Sequence, residues 1–209
     1  MTAVRRTQAQ RRAETREALI EATIRAIVEK GYSKLTVNEV CRRAGVSHGG
    51  LFGRFDSLFD LVAAAAAEVG RRQIERFGAN VAELPDPRDV DAVLAIWLDA
   101  ARDPINTVWL ELTIAARTDE QLREHLSAVR DEYAAALLSG GGLPATRGLT
   151  PEQNLALGSI VVFCFDGFAI HTGTFPQPEL DATRLAALTT MVRQYLDTHL
   201  VSDRAAARD

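Results

Sequence analysis

The chain has 209 residues, 47% of them hydrophobic and 25% charged, with a formal net charge of −4. This is ordinary globular composition, enough for one large domain or two small ones, and it excludes fibrous and disordered classes. The opening "MTAVRRTQAQRR" has no apolar h-region, and the purely apolar runs, such as "IVVFCF" at 160–165, are far short of a bilayer span, so a cytoplasmic protein with no membrane partner is expected.

Helix signals dominate in chain order. "TREALIEATIRAIVEKG" places Ile20, Ile24, Ile27 and Val28 on one face and stops at Gly31. Four arginines before it, Arg5, Arg6, Arg11 and Arg12, read either as a mobile basic arm or as an ordinary disordered terminus. "TVNEV" at 36–40 offers Thr36 as N-cap with Glu39 three residues on, a capping box. Gly45 suits a tight turn, Val46 can plug the gap between two helices, and Ser47 caps the next one. Ser57, with Asp60 at its N3 position, then opens a long helix through the alanine run 63–67.

Later starts follow the same grammar. Asp86-Pro87 and Asp103-Pro104 each predict a helix with Pro at its first position. Thr118 with Gln121, and Thr150-Pro151 with Gln153, are further capping-box starts. "GANVAELPD", "SGGGLPATRG" and "TGTFPQPE" read as loops and the last nine residues as a frayed tail. The total is about nine helices with no alternating strand pattern, hence an all-α fold. Cys41 and Cys164 make no metal pattern and are expected as free thiols.

Charge is not evenly spread. Residues 1–55 hold 11 basic and 5 acidic side chains, net +6, which leaves −10 for the remainder. A basic unit on an acidic body points to an anionic partner for the first unit only, against the plainer reading of a solvated face. Residues 36–55 have helix–turn–helix spacing, in which the second helix enters a major groove.

The ordered series "EKGY", "TVNEVCRRAGVS" and "GGLFGRF", leading straight into a long helix, resembles the DNA-binding domain of the TetR/AcrR family of one-component regulators. The resemblance covers about a quarter of the chain; "FDGFAI" at 165–170 also resembles a recurring element of that family's penultimate helix. It implies a three-helix DNA-binding domain with its basic arm over 1–55 and a ligand-binding and dimerisation body over 56–209. It further implies a homodimer through the last two helices (about 151–171 and 179–200), a palindromic double-stranded operator, and release by an unknown small-molecule effector. Repression is the expected action. This chain departs from the family at three places: Phe52 stands where Tyr is usual, Arg54 where His or Tyr is frequent, and Leu58 where a Lys usually meets the DNA backbone.

The candidate DNA-contacting residues are Thr36, Arg42, Arg43, Ser47, His48, Gly49, Gly50, Phe52 and Arg54. His48 projects from the first turn of the recognition helix, toward base or phosphate. Thr36 caps a helix whose N-terminus also suits a phosphate. Arg42 and Arg43 either meet phosphate or are simply solvated. By the resemblance, Gly49 stands where the family favours glycine, which lets the helix start press near the DNA backbone, and Gly50 stands where it tolerates small residues. For the effector, the candidates are Trp97, Trp109, Thr113, Phe163, Asp166 and His171, aromatics with a few polar anchors, although aromatics at helical spacing are more often core. Asp166 follows six apolar residues and needs a partner, a wet pocket or the dimer seam. The competing reading is an all-helical small-molecule-binding protein or enzyme without DNA binding. The chain has no nucleophile elbow, phosphate-binding glycine loop or HExxH, so no enzymatic activity, cofactor or metal is expected.

Overall fold

A computed structural model describes residues 7–139 and 146–206, so Arg5 and Arg6 lie outside the described residues. Among the described residues there are nine α-helices and no strands. They are α1 (Gln8–Lys30), α2 (Val37–Ala44), α3 (His48–Phe52), α4 (Leu58–Ala82), α5 (Val90–Arg102), α6 (Asn106–Ala115), α7 (Glu120–Ser139), α8 (Pro151–Thr174) and α9 (Pro178–Ala206), with a 3₁₀ turn at Tyr32–Lys34. The helices divide into two compact units. The first comprises the described residues up to Arg72 with Pro104–Tyr133; the second comprises Gln73–Asp103 and the described residues from Ala134 onward.

Local chemistry sets the boundaries. Thr7 and Gln10 form a reciprocal capping box (Gln10 N to Thr7 Oγ1 3.2 Å, Thr7 N to Gln10 Oε1 2.8 Å), so α1 begins well before the apolar face. Arg11 and Arg12 therefore stand on a helix, not on the loose arm expected from sequence. Thr150 and Gln153 form a second box at α8. Three expected starts move by a few residues: α5, α6 and α7 begin at Val90, Asn106 and Glu120, so neither Pro87 nor Pro104 takes a first helical position. α6 has Ile105 as its N-cap, and at the other two a carboxylate placed later caps the helix. Asp89, and not Asp86, caps α5 through Asp91 N (3.0 Å), and Asp119, and not Thr118, accepts from Leu122 N (2.9 Å) at α7. Two expected loops shrink, and the expected tail is helical over its described residues, 201–206. α4 continues to Ala82 through "GANVA", α8 to Thr174, and α9 to Ala206.

The first unit is built around a sealed apolar core. Leu19 and Ile27 of α1, Val40 of α2, Leu51 of α3, Leu61 and Val62 of α4, Leu112 of α6 and Leu122 of α7 are all fully buried. The periodic residues Ile20, Ile24 and Ile27 face this core, as their spacing requires. Each such side chain stabilises by roughly 1.5–3 kcal/mol relative to exposure. Thr23 is buried among them and its hydroxyl donates to Leu19 O (2.8 Å), which offsets its desolvation. The core thus runs past residue 55 to include half of α4, α6 and the front of α7.

The second unit packs α5, α8 and α9 around Leu94, Leu98, Leu157, Val161, Phe165, Val192 and Leu196. Here α8 is the unusual element. Its most apolar 18-residue window has a mean hydropathy of 1.7, long and apolar enough by composition to cross a membrane, yet only 17% of that window is buried. Ile160, Phe163 and Ile170 are exposed, Phe163 by 71%. One side of α8 faces its own unit and the other is uncovered.

Candidate nucleic-acid interface

The first unit carries a helix–turn–helix formed by α2 and α3. Thr36 Oγ1 accepts from Glu39 N (3.2 Å), so the cap forms. The expected box is only half made, because the Glu39 carboxylate turns away to three cations. It accepts from Arg42 (3.0 Å), Lys30 (2.7 Å) and Arg43 (2.7 Å). Those partners, Arg42 foremost, hold its pKa far below the usual carboxylate range. Gly45 ends α2 in the left-handed region (φ 68°), and its N–H bonds to Cys41 O. A side chain there would meet no atom, so glycine is required by backbone strain alone. Burial pushes the Cys41 thiol pKa up, as befits a free core cysteine.

Ser47 then caps α3, its Oγ accepting from Gly50 N (3.1 Å). Leu51 points inward and is fully buried, while Phe55, just beyond α3, is nearly so. Phe52 is 50% exposed. His48 is exposed, and its Nε2 lies 2.6 Å from Asn38 Oδ1 on α2. The glycines differ in kind. A methyl at Gly49 would meet only Ser47 Oγ at 3.9 Å, whereas at Gly53 it would press on Gly49 O at 3.1 Å. Gly53 thus serves the end of α3; Gly49 is left open by the fold.

The cations around this element divide the same way. The Arg43 side chain is 13% exposed and clamped between Glu29 and Glu39 (both 2.7 Å), joining α1 to α2. Arg42 leans on Glu39 but stays 67% exposed. Arg54 Nη1 donates to Gly53 O (3.0 Å), and Arg12 Nη2 reaches the same carbonyl at 3.5 Å. The Arg54 Nε is buried with no hydrogen-bond partner. Arg16 sits over the Phe55 ring, 5.3 Å from its centroid. Arg12, Arg16 and Arg54 therefore gather where α3 ends, a grouping that the sequence, with Arg16 and Arg54 38 positions apart, does not reveal.

The second unit holds a cavity of about 70 Å³. Val90, Val93, Leu94 and Trp97 of α5, Asn154, Leu157 and Val161 of α8, and Val192 and Leu196 of α9 line it. Among the six effector candidates, Trp97 is there, its ring 4.5 Å from that of Phe77. Trp109 instead belongs to the first unit, where it stacks on Tyr133 at 6.1 Å, and Thr113 is exposed in that same unit. Phe163 and His171 are exposed on α8 and Asp166 is half-buried; none of the three lines the cavity. The aliphatic lining carries no chemical flag in sequence, since core leucines and pocket leucines look alike.

Comparison with known proteins joins these observations. The family described as "Bacterial regulatory proteins, tetR family" matches residues 19–72, which span α2, α3 and the flanking halves of α1 and α4. An uncharacterized HTH-type transcriptional regulator of Mycobacterium tuberculosis is 41% identical over 189 residues, covering 90% of this chain and 97% of that protein. Among solved structures, multidrug binding protein EbrR complexed with imidazole superposes with a TM-score of 0.63 at 22% identity, covering 90% of this chain and 96% of that one. A TetR family transcription regulator from Marinobacter aquaeolei gives 0.57 at 16%, covering 90% and 98%. The helix–turn–helix of the first unit is thus a DNA-reading element, and the protein belongs to the TetR family of transcriptional regulators, which are not enzymes.

Proposed function

We propose that this regulator is a cytoplasmic repressor that binds a palindromic operator as a homodimer and lets go when a small molecule enters the second unit. The observation that carries the reading is the outer face of α3: exposed His48, open Gly49 and half-exposed Phe52, with Arg12, Arg16 and Arg54 grouped where the helix ends. In this reading Arg42, Arg54 and the N-terminus of α2 at Thr36 meet phosphates, and Ser47 fixes the start of α3. Arg43, already clamped between two carboxylates, holds the element together. Residues 1–55 carry the DNA contacts and 56–209 the dimer and effector functions.

The exposed apolar side of α8 supports a second copy of the chain as its cover. Ile160, Phe163 and Ile170 recur at helical spacing with Gly167 open among them, a surface that water disfavours and another helix fits. Two recognition helices would then meet successive major grooves, roughly 34–36 Å apart. The cavity beside Trp97 supports an uncharged, mainly apolar effector, since its lining holds no ionised side chain. Binding must favour a conformation with the wrong half-site spacing for release to follow. The test is a mobility shift with the DNA upstream of the protein's own gene. A shift whose log affinity falls linearly with log salt is expected; no shift at low salt would overturn the reading.

A further inference from the structure

The recognition helix is nearly bare. Of its five residues, Gly49 and Gly50 have no side chain, Leu51 is buried, and Phe52 offers only a ring. His48 is therefore the one side chain within α3 that can make a hydrogen bond to a base. Its ring does not hang loose. Nε2 is 2.6 Å from Asn38 Oδ1, which belongs to the second residue of α2, ten positions earlier.

This contact determines what His48 can read. A carboxamide oxygen has no proton to give, so the proton between the two atoms sits on Nε2. In the neutral ring the other nitrogen, Nδ1, is then a bare acceptor. In the major groove an acceptor matches the exocyclic amino group of adenine (N6) or cytosine (N4). Guanine presents only acceptors there, N7 and O6, and thymine presents O4 and a methyl group. We propose that Asn38 is a positioning residue that locks the His48 tautomer, and that His48 thereby selects an amino-bearing base, adenine or cytosine, at one position of each half-site. The proposal rests on the reading of α2 and α3 as the operator-binding element.

The position of Asn38 fits this role. It is exposed on the first turn of α2 beside Thr36, so it costs the core nothing and is free to serve the interface. Removing it leaves Leu51, Val40 and the Glu39 ion pairs intact.

The experiment is a binding selection from duplexes randomised over about 20 base pairs, long enough for two half-sites one helical turn apart. It is run with wild type, His48→Ala and Asn38→Ala, beside ¹⁵N spectra of the full-length protein. Wild type is expected to enrich one base pair about five-fold at one position per half-site, the low end for a good base contact, and to lose that five-fold when the amino group of the pair is removed by putting purine for its adenine or 2-pyrimidinone for its cytosine. That position becomes indifferent in His48→Ala. In Asn38→Ala its preference drops to about two-fold or less, while affinity for random duplex changes by less than about two-fold. The His48 spectrum shows Nε2 protonated and Nδ1 not, and the difference between them collapses in Asn38→Ala. A preference retained by Asn38→Ala, a preference that survives removal of the amino group from the His48-dependent pair (purine for adenine, 2-pyrimidinone for cytosine), or a protonated Nδ1 in the neutral ring overturns the inference while leaving operator binding standing. Failure of wild type to enrich any motif overturns the operator reading itself and this inference with it.

Discussion

The two units solve opposite problems with the same kind of helix. Among the described residues, every aliphatic side chain with no solvent exposure, from Leu19 to Leu122, lies in the first unit, whereas in the second the most deeply buried large side chain is Phe165 at 2%. The exposed large hydrophobics reverse this. Among the described residues, seven of nine lie in the second unit, on or next to α8 and α9, and only Phe52 and Ile114 lie in the first. The first unit thus closes its core with its own residues, and the second leaves apolar surface for something else to cover. A unit that holds a short helix rigid against DNA needs the former; one that takes a partner and a ligand, as the proposed function has it, needs the latter.

The most severe test of that contrast is truncation at equivalent depth. Leu51→Ala removes a fully buried side chain from the helix that reads DNA and should destabilise the first unit by about 3–4 kcal/mol. Leu157→Ala, at 8% exposure and already beside a cavity, should cost roughly half as much, because less packing is lost. Denaturant unfolding of the two variants measures the difference. Equal losses would mean that the second unit is as tightly sealed as the first.

Surface substitution should reverse the order. Phe163→Arg places charge on a side chain that is 71% exposed, so the folded subunit should keep its stability within about 0.5 kcal/mol. Light scattering after size exclusion should nevertheless show a monomer where wild type is a dimer, with operator affinity reduced to that of a single half-site. A dimer that survives this change would place the seam elsewhere and leave the exposed face of α8 without a cover.

Acid should act on the first unit's ion pairs. Hydrogen bonds from Arg71 and then Arg72 hold the Glu68 carboxyl down to about 2 from 4.5, against an opposing push from burial. The folded value lies below the unfolded one, so the ionised group stabilises above about pH 4.5 and its contribution is lost as pH falls toward 2. Solvent reaches both arginines, so the pairs are worth about 1 kcal/mol or less. Glu68→Gln should therefore cost that much at pH 6 and nothing at pH 2, read from unfolding curves at the two pH values. A constant difference would show that the glutamate acts by packing alone.

The first unit was also the more legible in sequence, and for the same reason. The Ile20, Ile24 and Ile27 stripe, the caps at Thr36, Ser47 and Ser57, and the left-handed turn at Gly45 are local signals, and each stands where the pattern puts it. What sequence could not give was competition among partners. Glu39 was read as half of a capping box, but three nearby cations outbid a backbone N–H. The second unit is harder to read because its cavity is lined mostly by ordinary leucines and valines. Trp97 was picked out as an aromatic and does line the cavity, yet nothing in the spacing separates Leu157, which lines it too, from Phe163, which points away.

The smallest effect is the sharpest, because one substitution should move the two properties in opposite directions. Gly49 lies in a helix with φ in the ordinary range, and a methyl there would meet nothing closer than 3.9 Å. Glycine in such a position disfavours the helix, so Gly49→Ala should stabilise the first unit by about 0.5 kcal/mol. If stability alone had shaped this helix, alanine would serve better. The open side of Gly49 instead leaves room for a DNA backbone to approach, and a methyl in that space should weaken operator binding several-fold even as the fold tightens. Gly53→Ala is the control: its methyl presses on Gly49 O at 3.1 Å, so stability and binding should fall together. Thermal unfolding and operator titration on both variants separate the cases. If Gly49→Ala gains stability and binds as well as wild type, the bare face of α3 is not where the backbone comes close.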